Sequence, residues 1–142
     1  MSWILLILSL PTENATARMR AWRALKTTGA AVLRDGVYLL PSQENTIVTL
    51  TSIADDVREN GGTAYILRTD GDDQHTADFP MLFDRSAEYG ELMKELHQHR
   101  ASLSHDNVAE ILKQVRKLRK TFSQLVVIDF FASEAHQQTA IA

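Results

Sequence analysis

Lys113, Arg116, Lys117 and Lys120 stand at i, i+3, i+4 and i+7 within the run KQVRKLRK. On a helix this spacing gathers four cations on one face, with Val115, Leu118 and Phe122 on the apolar face beside it. Such a face suits phosphate groups, whose contacts position a protein on DNA or RNA without reading sequence. It suits equally well the neutralisation of the acidic 70–91 region of the same chain. A second cationic group comes earlier: from Asn14 to Arg34 there are five basic residues and no acidic one. On a helix Arg20 and Arg23 point outward. Arg18 and Lys26 flank the apolar stripe, where long stems pack while the charges reach water. These four either contact phosphate or an anionic partner, or solvate a helix built from good helix formers.

The remaining chemistry-bearing residues promise less. His97 and His99 are at i, i+2, which sends their rings to roughly opposite sides of a helix, and no His-Glu-x-x-His spacing occurs. With His75, His105 and His136 they read as solvated histidines. Asp70, Asp72 and Asp73 alternate somewhat like a calcium loop, yet Gly71 is misplaced and no glutamate follows at the last loop position. The chain has no cysteine, which removes disulfides, thiolate metal sites and thiol redox chemistry. It also lacks a nucleophile elbow, a P-loop and a dinucleotide fingerprint. The expectation is a non-enzymatic protein with no cofactor and no metal.

These groups need elements to hold them. The 142 residues, 44% hydrophobic and 23% charged, suffice for a globular domain with a real core. Residues 3–10 are continuously apolar apart from Ser9, as a central strand buried on both faces requires, and Pro11 ends it. The segment is shorter than the roughly 20 residues that span a bilayer. It also lacks the basic start and cleavage site of a signal peptide. A cytoplasmic protein without a membrane segment is therefore expected.

Asn14 is the N-cap of a helix running to about Thr28. Ala15, Met19, Trp22 and Leu25 form its stripe, which predicts a largely buried Trp22. Gly29 closes it. In AAVLRDGVYLLP two strands flank Asp35-Gly36, a favoured type I′ pair. Ile47, Leu50, Ala54 and Val57 give a helix over 44–60 that Gly61 and Gly62 stop, and TAYILRTD is a strand from Thr63 to about Thr69. The order β-α-β-β-α-β predicts an α+β protein with a ferredoxin-like core over residues 1–75, an antiparallel sheet carrying two helices on one face.

Residues 76–142 then form a helical extension. Leu82, Tyr89, Leu92, Met93 and Leu96 give a helix over roughly 84–101. Val108, Ile111, Leu112, Val115, Leu118 and Phe122 give another over roughly 106–122, so the two make a helical hairpin. QLVVIDFF reads either as a strand, from its β-branched content, or as a continuation of the second helix.

The stretch WILLILSLPTENATARMRAWRALKTTGAAVLRDGVYLLP, Trp3 to Pro41, resembles the N-terminal domain of the ChrB family of chromate-resistance proteins. FDRSAEY, from Phe83 to Tyr89, and RKTFSQLVVIDFF, from Arg119 to Phe131, support the resemblance. It implies a chromate-sensing transcriptional repressor that works beside a chromate efflux transporter. Longer members carry a second, C-terminal domain, so it also implies a chain cut before that domain. The partners are then operator DNA and chromate, with a homodimer as the expected assembly. DNA or anion contact falls to Arg18, Arg20, Arg23, Lys26, Lys113, Arg116, Lys117 and Lys120. Chromate is a sulfate-like dianion, and a direct site needs arginines, hydroxyls and helix N-terminal amides. Thr12, Arg18, Arg20 and Arg23 are the candidates.

More distantly, the core resembles PaaX-type repressors and small CRISPR-associated endoribonucleases. Those nucleases place a metal-binding aspartate at the end of the first strand. Here that region reads ILSLPT, with no carboxylate before Glu13. A metal-dependent nuclease on the same fold and a dimerisation module are the alternative readings.

Overall fold

The apolar run at the start of the chain forms β1 (Ser2–Ser9), and the elements up to residue 83 are arranged around it. The computed structural model describes residues 2–72, 78–131 and 139, and it divides into two units, residues 1–83 and 84–142. In the first unit β1 pairs antiparallel on both sides, with β3 (Val37–Pro41) and with β4 (Thr63–Asp70). An outer strand, β2 (Ala31–Arg34), pairs antiparallel with β3, so the sheet order is β2-β3-β1-β4. The chain is α+β: α1 (Ala15–Thr28) follows β1, and α2 (Thr46–Glu59) follows β3. Ile4 and Leu6 on one face and Trp3 on the other are fully buried. Leu5 and Ile7, on Trp3's face, are only half-buried, so β1 is not buried on both faces as its apolar run predicts. A 3₁₀ turn, Phe79–Phe83, returns to pack on Trp3. Phe79 meets the indole edge-on at 5.1 Å and Phe83 stacks on it at 6.0 Å, which keeps this turn with the first unit.

α1 begins and ends as its sequence directs. The Asn14 side chain accepts the Ala17 N–H at 3.2 Å and donates to the Asn60 carbonyl at 3.3 Å, tying the start of α1 to the end of α2. Gly29 adopts φ 79°, and its N–H donates to the Lys26 carbonyl at 3.1 Å. The buried face is different from the expected one. It consists of Ala17, Ala21 and Leu25, while Met19 and Trp22 are each 47% exposed. The alanines stand at i and i+4, as good a helical stripe as the larger residues offered. Small side chains let α1 pack closely on α2, where an indole would hold the helices apart.

Two other expectations need correction. The Asp35-Gly36 turn is not type I′, because Gly36 alone has positive φ (77°) and no non-glycine residue does among those described. The extra residue is taken up by a register shift between Val32 and Arg34. Leu82 belongs to the 3₁₀ turn and is exposed, so it is no part of the following helix's apolar stripe.

The second unit contains α3 (Ser86–Ala101) and α4 (Val108–Ile128), which pack on each other. Tyr89, Leu92 and Leu125 form their buried cluster, with Leu118, Phe122 and Ile128 against it. QLVVI therefore continues the helix. Leu118, Phe122 and Leu125 extend one stripe, and burying it outweighs the strand preference of Val126 and Val127. The Tyr89 hydroxyl donates to Asp129 at 2.9 Å just past the end of α4. Burial, with the neighbouring carboxylate adding to it, holds that phenol well above its ordinary pKa.

Candidate functional site

With its alanines inward, α1 turns Met19, Trp22 and Arg18 outward. They form one wall of a cleft of about 810 Å³. The end of β1 and the residues after it, Leu8 to Leu10 and Thr12, make the floor, and the hairpin contributes Asp35, Gly36 and Tyr38. The hairpin is clamped in place. The Leu8 N–H donates to the Gly36 carbonyl at 2.8 Å, and a Cβ on Gly36 would stand 2.6 Å from the Leu8 carbonyl oxygen. Burial raises the Tyr38 phenol pKa, and the charge of Asp35 adds to the effect. Lys26 lies over the indole of Trp22, 5.1 Å from its centroid, a cation–π contact.

The four cations of α1 do not gather. Arg18 lines the cleft, together with Thr12. Arg20 faces α2, where its guanidinium makes a two-pronged pair with Asp56 at 2.8 and 3.0 Å. That pair lowers the Asp56 pKa, chiefly through the hydrogen bond from Arg20, and raises that of Arg20. Arg23 is exposed, and Lys26 is spent on the indole. Of the dianion candidates, the cleft thus brings together Thr12 and Arg18. Sequence reasoning missed Trp22, Met19, Tyr38 and Asp35 as cleft residues. The available signal was the second stripe, Ala17-Ala21-Leu25, which would have turned the large residues outward.

The four cations of α4 do gather. Lys113, Arg116, Lys117 and Lys120 are all exposed on one face of a 21-residue helix. One turn earlier, Glu110 has its pKa lowered by a hydrogen bond from Gln114 and then by the charges of Lys113 and Lys117. That single carboxylate leaves the face strongly positive. His75 and His136 lie outside the described residues, as does Asp73. Among the described residues no three His, Cys, Asp or Glu side chains converge as metal ligands, and no helix is long and apolar enough to cross a membrane.

A family model described as "Protein ChrB, N-terminal" matches residues 18–142, taking in both units. The chain belongs to the ChrB family. It is 42% identical over 135 residues to Protein ChrB of Cupriavidus metallidurans, a match covering 94% of this chain and 42% of the relative. The chain thus spans about two fifths of the length of the ChrB relative it matches. No solved structure matches it. Every cation of both groups falls inside the segment that the ChrB N-terminal description covers.

Proposed function

We propose that this chain is the N-terminal regulatory domain of a chromate-responsive transcriptional repressor, and that it binds operator DNA through α4. The observation that carries the reading is the cluster of Lys113, Arg116, Lys117 and Lys120, four exposed charges on one helix face of a ChrB-family chain. Phosphate contacts of this kind supply most non-specific affinity and orient the protein on the duplex. In this reading the protein is non-enzymatic and cytoplasmic, acts as a homodimer and answers to chromate. The first unit is ferredoxin-like. Its βαββαβ element order and its antiparallel β2-β3-β1-β4 sheet support that assignment. The half-open sheet face supports the dimer. Leu5 and Ile7 pair with Leu67 and Tyr65, which are 48% and 60% exposed on the same side.

The test is a mobility shift on the promoter beside the chromate efflux gene, across salt concentration, with and without chromate. Log affinity falls by about 0.9 per log salt for each phosphate contact. Arg116→Ala with Lys120→Ala should weaken binding to all sequences alike and flatten the slope by about two. An unchanged slope in well-folded double mutant removes α4 from the interface.

A further inference from the structure

Arg18 and Asp35 line the same cleft from different walls, Arg18 on α1 and Asp35 at the tip of the β2–β3 hairpin. Neither side chain makes a hydrogen bond or an ion pair among the described residues. The cleft therefore offers a ligand one free cation and one free carboxylate. The same lining carries Leu8, Met19, Trp22 and the ring of Tyr38, with the Ser9 and Thr12 hydroxyls beside them. Trp22 is 47% exposed, with Lys26 over its ring, and its remaining apolar surface faces the cleft.

The volume and lining decide what class of molecule fits. About 810 Å³ lies within the roughly 300–1,000 Å³ of small-molecule sites. A single inorganic oxyanion would fill little of it, and beside Arg18 and the Thr12 and Ser9 hydroxyls it would meet the Asp35 carboxylate, which repels a dianion. A ligand with a carboxylate, an ammonium and an apolar body matches every wall at once. We propose that this cleft binds a free α-amino acid with a large apolar or aromatic side chain, its carboxylate on Arg18, its ammonium toward Asp35 and its side chain against Trp22 and Met19. The inference stands apart from the DNA-binding reading, and each can fail alone.

Tryptophan emission and calorimetry on the intact chain provide the test, with L-phenylalanine, L-leucine, L-methionine and L-tryptophan as probes (the last by calorimetry only). Two analogues separate the charges: 3-phenylpropionate lacks the ammonium, and phenethylamine lacks the carboxylate. L-phenylalanine should bind about tenfold more tightly than either analogue, the scale of one charge-assisted contact. Arg18→Met should erase the advantage over phenethylamine and keep most of that over 3-phenylpropionate. Asp35→Asn should do the reverse. Both side chains are exposed, so both variants should keep the parent's circular dichroism. Trp22→Phe should remove the emission change while calorimetric binding persists. Absence of binding by all four amino acids at millimolar concentration overturns the proposal. So does unchanged discrimination in both charge variants, or displacement of bound phenylalanine by equimolar chromate.

Discussion

Replacing Gly36 by alanine tests the clamp that holds the hairpin, and with it one wall of the cleft, against β1. Gly36 has φ 77°, a conformation that costs an L-residue about 1–2 kcal/mol. A Cβ there would stand 2.6 Å from the Leu8 carbonyl oxygen. That oxygen is backbone in the strand at the centre of the sheet, so it cannot rotate aside as a side chain would. Relief requires the turn to lift from β1, which breaks the 2.8 Å hydrogen bond from the Leu8 N–H to the Gly36 carbonyl, worth about 1 kcal/mol. Strain, crowding and the lost bond together come to about 3 kcal/mol, near the upper end for single substitutions. Urea unfolding followed by tryptophan emission is the assay, because both tryptophans, Trp3 and Trp22, lie in residues 1–83. With a slope of about 1.5 kcal/mol per molar urea, the midpoint should fall by about 2 M. Gly90, on α3, has nothing within 4 Å of where a Cβ would stand. Gly90→Ala should therefore raise the helical transition at 222 nm by about 0.5–1 kcal/mol, a control for the general effect of removing a glycine. A Gly36→Ala midpoint within about 0.3 M of the parent would refute the clamp.

Tyr89→Phe removes the donor to Asp129 and leaves a half-buried carboxylate without it, so the helical transition at 222 nm should lose about 1.5–3 kcal/mol. A loss below about 0.5 kcal/mol would mean that water replaces the phenol freely. Asp56 has a lowered pKa in the fold, first through the hydrogen bond from Arg20. Its contribution is thus fully present above the unfolded value of about 3.9 and is lost as pH falls through the folded one. Below about pH 4 the parent should lose stability more steeply than Asp56→Asn. Parallel pH profiles would show that the Arg20–Asp56 pair contributes nothing to folding.

Much of the architecture could be read from local signals because those signals had no strong competitor. Asn14 and Gly29 bound α1 where capping chemistry puts them, and Pro11, Asp35-Gly36 and Gly61-Gly62 punctuate the remaining elements. The face of α1 could not be read so. Two stripes of similar helical quality were available, and the choice between Trp22 and Ala21 as inward residue is made by α2, a partner distant in sequence. The same long-range contact decides the fate of Arg20, which lies 36 residues from Asp56. The tail of α4 shows the opposite case. Val126, Val127 and Ile128 favour a strand locally, and the packing of Leu125 against Tyr89 and Leu92 makes them helix.

Net charge says little about either surface. The chain carries −3 overall, yet charges in water are felt over only about 8 Å at physiological ionic strength. Neighbours at i, i+3 and i+4 on a helix stand about 5–6 Å apart at Cβ, so the four cations of α4 add their fields within that distance. Such a group releases counterions from a polyanion, and its affinity is steeply dependent on salt. Arg18 is placed differently. It shares the cleft with Asp35, whose carboxylate opposes the entry of a dianion. What a separated pair does well is orient a ligand that carries both signs, once apolar contact with Trp22 and Met19 has supplied the drive to enter. In the two proposed readings the energetic roles are opposite, with charge giving affinity on α4 and selectivity in the cleft. Raising the salt should therefore release DNA from α4 long before it releases a zwitterion from Arg18 and Asp35.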